Sequence, residues 1–149
     1  MIQRIQTLLL AGVTIISILL FFIPFVEYSS GNVKTTIDLL PGHTSNIIAT
    51  YYIPVVFNII NLILSVAVIL QFKKRLIQIK MASLLMAFSS ILLGTMLVFD
   101  FVEVNSANNT IKLYLYGAYL PIISILLSFF AIRRIKKDEE LVRSADRLR

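Results

Sequence analysis

A chain of 149 residues is enough for one domain, here spanning 1–149. It is 58% apolar and 15% charged, against roughly 45–50% and 25% in soluble domains, and its mean hydropathy is +0.87. The absence of cysteine excludes a disulfide framework, a thiolate nucleophile, zinc fingers and iron–sulfur clusters. A net charge of +6 would suit a nucleic-acid binder only if it were gathered into a patch.

In chain order, the first element is an uncharged apolar run over 7–26, preceded by Arg4. It resembles a signal peptide in its basic start. Its apolar stretch is too long for one, however, and Phe25-Val26-Glu27-Tyr28 lacks the small residues a cleavage site needs. An uncleaved membrane anchor is expected. The following segment reads as a β-hairpin: a strand over 25–28, a polar Ser29-Ser30-Gly31-Asn32 turn, and a strand over 33–37. Leu40-Pro41-Gly42 marks a further turn, and Ser45-Asn46 a start for a short interfacial helix.

Three more runs without Asp, Glu, Lys, Arg or His cover 53–72, 81–99 and 113–132. At 1.5 Å per residue, a run of about 20 residues crosses the ~30 Å hydrocarbon core of a bilayer. The runs do not alternate polar and apolar residues, as barrel strands would, so helices are expected. Between the third and fourth runs a second hairpin is expected, with strands over 101–104 and 110–114 around a polar turn at 105–109. If its second strand reaches Tyr114, the fourth span begins nearer Gly117. Two hairpins at one end of a bundle could join into a small capping sheet. The tail over 133–149 contains neither Gly nor Pro, so the last helix is expected to continue through it.

The fold class expected is therefore an all-α membrane protein: a four-helix transmembrane bundle with small outer β-hairpins and a helical cytoplasmic tail. Orientation follows from the basic residues. Arg4, four in the loop 73–80 and seven in the tail make twelve at one end, and Lys34 and Lys112 make two at the other. The positive-inside rule puts the twelve, and both termini, in the cytoplasm. The basicity thus belongs to membrane topology, and no nucleic-acid partner is implied. All six tyrosines fall near the opposite ends of the spans, as an interfacial aromatic belt would. Pro54 and Pro121 fall in the first turns or so of descending helices, where a missing N–H costs least.

Candidate sites are few. Asn58 and Asn61 share a helix face with Ser65, and they are the most polar residues within a span. Interhelical hydrogen bonding is the favoured role, and a ligand or ion path the alternative. Small residues recur at helical spacing at Ser83, Ala87, Ser90 and Gly94, and at Gly117, Pro121, Ser124 and Ser128. Both stripes are expected to pack inside the bundle, with a dimer seam as the alternative. His43 is the only histidine and sits in a polar loop, so no metal site is expected. Asp38 and Glu103 read as solvated loop carboxylates. No phosphate-binding, metalloprotease or hydrolase motif occurs. The chain is expected to need no cofactor and to be no enzyme, although Asp100 and Glu103 place two carboxylates at the outer interface. In the tail, Glu139 is spaced to pair with Arg143, and Leu141, Val142, Ala145 and Leu148 form an apolar stripe.

Three stretches resemble a known group: Met1-Ile2-Gln3-Arg4-Ile5-Gln6-Thr7-Leu8, Tyr116-Gly117-Ala118-Tyr119-Leu120-Pro121, and Lys137-Asp138-Glu139-Glu140-Leu141-Val142-Arg143-Ser144-Ala145-Asp146-Arg147-Leu148-Arg149. The group is a family of four-span bacterial membrane proteins catalogued only as a domain of unknown function. Ile132 stands where its pattern leads us to expect a polar Asn. The resemblance implies a multi-pass protein of the bacterial cytoplasmic (inner) membrane and brings no activity with it. The function expected is contact, through the cytoplasmic face, with a protein partner or anionic membrane lipid. Gln3, Arg4, Arg143, Asp146 and Arg147 are the candidate contact surface. A small transporter or channel subunit using Asn58 and Asn61 is the alternative.

Overall fold

A computed structural model describes residues 2–30, 33–39, 48–72, 74–106 and 111–147. Its elements are α1 (Ile2–Phe22), β1 (Val26–Ser30), β2 (Val33–Ile37), α2 (Ile48–Leu70), α3 (Arg75–Ser106), β3 (Ile111–Tyr114), a 3-10 turn (Tyr116–Tyr119) and α4 (Leu120–Arg147). Each helix contains a window long and apolar enough to cross a membrane, and only about a third of each window is buried within the protein. The remaining faces carry large apolar side chains outward, among them Leu8, Phe22, Ile63 and Phe130. In water that exposure would be ruinous, whereas in lipid it is neutral. The chain is a multi-pass membrane protein.

The four helices pack as a closed ring, each touching the two next to it: α1 against α2 and α4, and α3 against α2 and α4. Gln71 and Phe72 turn the chain after α2, and the Lys74 N–H ahead of α3 donates to the Gln71 carbonyl at 3.0 Å. This turn, the start of α1 and the end of α4 lie together at the basic end of the bundle.

The other end is capped by a sheet of order β2-β1-β3, antiparallel throughout. The first hairpin forms, with Val26 opposite Ile37, although Ser29 and Ser30, expected in the turn, extend β1 and pair with Lys34 and Val33. The second does not. Residues 101–106 continue α3 instead of forming a strand, so β3 pairs across with β1, placing Val26 opposite Tyr114. Between Arg75 and Ser106 the only residue that weakens a helix strongly is Gly94, and extending an existing helix gains a backbone bond per residue without new nucleation. The short strand that ends at Tyr114 does delay the fourth helix: a 3-10 turn intervenes and α4 starts at Leu120. The interfacial helix and turn expected over 40–47 lie outside the described residues.

Helix ends moved in both directions from the apolar runs. α1 stops at Phe22 because the residues that follow enter the sheet: the Phe25 N–H donates to Ile37 O at 2.9 Å, and Phe25 O accepts from Leu115 N at 3.0 Å. α2 begins at Ile48, ahead of the run over 53–72, so the fully buried Pro54 lies in its second turn. α4 continues as one helix to Arg147, as the Gly- and Pro-free tail implied.

Two apolar clusters fill the interior. One, beneath the sheet, joins Ile16, Leu20, Phe25, Val26, Ile37, Leu39, Val55, Leu92 and Met96. The other, towards the basic end, joins Leu10, Val13, Val68, Ala82, Leu85, Ala131 and Ile132. The expected Asn position is thus an apolar core position. Between the clusters lies a polar layer.

Candidate functional site: an intramembrane polar layer and a basic collar

The polar layer draws on every helix. From α2, Asn58 and Asn61 are 0% and 1% exposed, so both amides must find partners inside the bundle. Asn58 Nδ2 donates to the Ser17 carbonyl of α1 at 2.9 Å. Asn61 Nδ2 turns back to Phe57 O at 3.2 Å, leaving its Oδ1 to accept from Ser89 Oγ of α3 at 3.0 Å. Ser89 in turn lies 3.3 Å from Ser124 Oγ of α4. One helical turn nearer the basic end, Thr14 Oγ1 donates to Ser65 Oγ at 2.9 Å. Hydrogen bonds therefore link α1 to α2, α2 to α3 and α3 to α4 at mid-bundle. Each such bond is worth about 0.6–2 kcal/mol in a membrane interior. Among the described residues two buried side-chain polar atoms have no partner, Asn58 Oδ1 and Ser128 Oγ.

The two small-residue stripes behave differently. Gly117, Pro121, Ser124 and Ser128 are all buried, and they let α4 approach its neighbours. Ser83, Ala87, Ser90 and Gly94 are all exposed, contrary to the expectation of internal packing. Ser89, Leu85 and Leu92 occupy the inward face of α3, which turns its small residues outward. Ser83 and Ser90 satisfy their hydroxyls on their own helix, at Lys80 O and Met86 O.

At the basic end three polar contacts tie the helices into a collar. Buried Gln6 of α1 donates from Nε2 to Arg134 O of α4 at 3.3 Å. Buried Gln78 of α3 donates to Val68 O of α2 at 3.3 Å. Arg75 of α3 meets Asp138 of α4, Nη2 to Oδ2 at 3.2 Å, and its Nη1 also donates to the Asp138 carbonyl at 3.3 Å. Asp138 is buried to 9% exposure, so its charge needs this partner. Around the collar Arg133, Arg134, Lys136 and Lys137 point outward, and the Arg133 guanidinium also lies over the Phe129 ring, 5.2 Å from its centre.

The contact surface expected from sequence sits at this end. Gln3 and Arg4 lie in the first turn of α1, and Arg143, Asp146 and Arg147 in the last two turns of α4; their side chains lie outside the described residues. With Gln6 level with Arg134 and the helices antiparallel, helix rise puts Gln3 near the level of Asp138 and Arg147 about 13 Å beyond it. The end of α4 thus projects past the start of α1.

Sequence reasoning found the two asparagines and Ser65 but missed Thr14, Ser17 and Ser89, whose only signal is a small hydroxyl on the inward stripe of an apolar helix. Arg75–Asp138 joins residues 63 apart and has no local signature. Among the described residues no group of three His, Cys, Asp or Glu side chains is placed to hold a metal.

No curated protein and no solved structure matches the chain. One family model does, over residues 2–148, nearly the whole length and all four helices, so the chain belongs to the family described as Domain of unknown function (DUF4293).

Proposed function

We propose that this is a non-enzymatic protein of a bacterial inner membrane, with both termini in the cytoplasm, that binds a cytoplasmic protein through the projecting end of α4. The observation that carries the reading is the continuity of α4, a single helix from Leu120 to Arg147. Beyond Asp138, whose contact with Arg75 marks the end of the bundle, nine more residues of that helix reach about 13 Å further. Leu141 and Val142, 50% and 41% exposed, lie about 10–12 Å beyond Arg134. The pair lies past the level of Asp138 and is flanked in sequence by Glu139, Glu140 and Arg143, and an apolar patch held among charges is a contact surface for protein. The Gln6 and Asp138 contacts fix the base of the projection, so a partner would meet a preformed helix.

Orientation is testable on its own. Single cysteines replacing the exposed Lys74 and Ser144 should react with a membrane-impermeant thiol reagent only after lysis, and one replacing the exposed Thr36 of β2 should react in intact spheroplasts. Labelling at Ser144 in intact cells would overturn the orientation drawn from the 12-to-2 division of basic residues.

The docking reading is tested by scrambling residues 140–149, which leaves Glu139 in place, at constant composition and assaying a phenotype of the deleted gene. Equal membrane insertion with lost complementation is the expected result, because topology counts Lys and Arg without regard to their order. Full complementation would reduce the segment to a charge anchor.

A transporter or channel subunit is the second reading, and the buried, unpartnered Asn58 Oδ1 favours it. Against it, the other amide atoms of Asn58 and Asn61 are spent on bonds within the bundle, and the layer described has no ionisable side chain of the kind that marks proton and ion paths.

A further inference from the structure

A pocket of about 400 Å³ opens at the basic end, where α3 begins beside α4, and Lys74, Arg75, Leu76, Ile77 and Glu139 line it. Its chemistry is divided. The cations Lys74 and Arg75 come from the α2–α3 turn and the start of α3, and the carboxylate comes from α4. The Arg75 guanidinium is held in place by Asp138, which takes two of its contacts, and a guanidinium carries five N–H donors. Among the described side chains, the lining and Asp138 bring two positive and two negative charges together. A headgroup that is itself zwitterionic meets both signs.

The pocket's depth points to lipid. Leu76 and Ile77 are 54% and 43% exposed, and Leu70 and Phe72 beside the turn are also exposed. These side chains belong in acyl chains, and they bracket Lys74, which therefore sits at headgroup level. Below Leu76 the same face of α3 carries the outward Ser83, Ala87 and Gly94, a shallow trough in line with the pocket.

We infer that this pocket is a binding site for an aminophospholipid such as phosphatidylethanolamine, whose phosphate accepts from Lys74 and Arg75 while its primary ammonium donates to Glu139. A carboxylate has about four acceptor positions, so Glu139 can take the ammonium beside the partner it already has. A choline headgroup presents the same phosphate but no N–H, and a glycerol headgroup presents a phosphate without a cation. The site therefore discriminates at the amine. It is independent of the docking end of α4: either can fail without the other.

The test uses the full-length protein in detergent micelles, with short-chain phosphatidylethanolamine, phosphatidylcholine and phosphatidylglycerol added separately and retention read by native mass spectrometry. Phosphatidylethanolamine should bind roughly tenfold tighter than phosphatidylcholine, the worth of one charge-assisted hydrogen bond. Glu139→Gln should bring phosphatidylethanolamine down to the level of phosphatidylcholine, and Lys74→Gln should weaken all three lipids. Lys136→Gln, an equal change of charge on the outward face of α4, should do neither. Phosphatidylglycerol bound most tightly, a preference for the ethanolamine lipid that survives Glu139→Gln, or equal losses from Lys74→Gln and Lys136→Gln would each overturn the inference.

Discussion

Replacing Gly117 by alanine should destabilise the bundle by about 2–3 kcal/mol, a cost in the range of forced overpacking. A Cβ at this position would lie 2.6 Å from Pro24 O and 2.8 Å from Ile23 O. Both obstacles are main chain, so no rotamer change relieves them. The contact is also a hydrogen bond, Gly117 N–H to Pro24 O at 3.2 Å, next to the one from Leu115 N to Phe25 O at 3.0 Å. Here the chain leaving α1 for the sheet crosses the chain entering α4, and only a residue without a side chain lets the two backbones touch. Moving them apart would strain β1, which is held on both sides by β2 and β3. Gly94 is the internal control. A Cβ there meets nothing within 4 Å, so Gly94→Ala should be neutral or slightly stabilising through helix propensity. The measurement is the temperature at which the monodisperse fraction is lost in mild detergent. Equal midpoints for the two variants would show that the α1–α4 crossing is not a fixed point of the fold.

That crossing also shows what the sequence makes legible. Four spans can be read because a bilayer demands a fixed apolar length, and the β1–β2 hairpin because its turn is local and polar. The pairing of β1 with β3 joins Ser29 to Ile111, and no local pattern reports such a distance. Residues 101–104 read as a strand in sequence because Phe101-Val102-Glu103-Val104 suits either state, and the helix already running into them decides the choice. Small-residue stripes on α3 and α4 look alike in sequence. They say where a helix can be approached closely, not which neighbour approaches, and the inward Ser89 settles it for α3. The polar layer was legible only in its asparagines, because an amide buried in a span must be explained whereas a serine can bond its own helix unnoticed, as Ser17 does at Val13 O.

Asn61→Leu should cost about 1–2 kcal/mol, and Asn58→Leu clearly less, although both asparagines are fully enclosed. Asn61 uses both ends of its amide, donating to Phe57 O and accepting from Ser89. Its replacement removes the bond between α2 and α3 and puts a branched apolar group against the hydroxyls of Ser89 and Ser124. Asn58 makes one bond, to the Ser17 carbonyl, and leaves Oδ1 buried without a partner. Leucine there loses the bond but also removes an acceptor whose desolvation is uncompensated, and the two effects oppose each other. The ranking is measurable with the same detergent midpoints, and the pair Asn61→Leu and Ser89→Ala in a double-mutant cycle should show a coupling of about 1 kcal/mol. A larger cost at Asn58 than at Asn61 would mean that Oδ1 has a partner in the membrane, a water or a passing solute, that stabilises the bundle. An Asn58→Leu protein of unchanged stability that nevertheless fails to complement a deletion would move the weight from docking at the end of α4 to transport through the polar layer. Complementation by Asn58→Leu, with Asn61→Leu less stable in proportion to its lost bonds, is the outcome expected of a layer that holds four helices together.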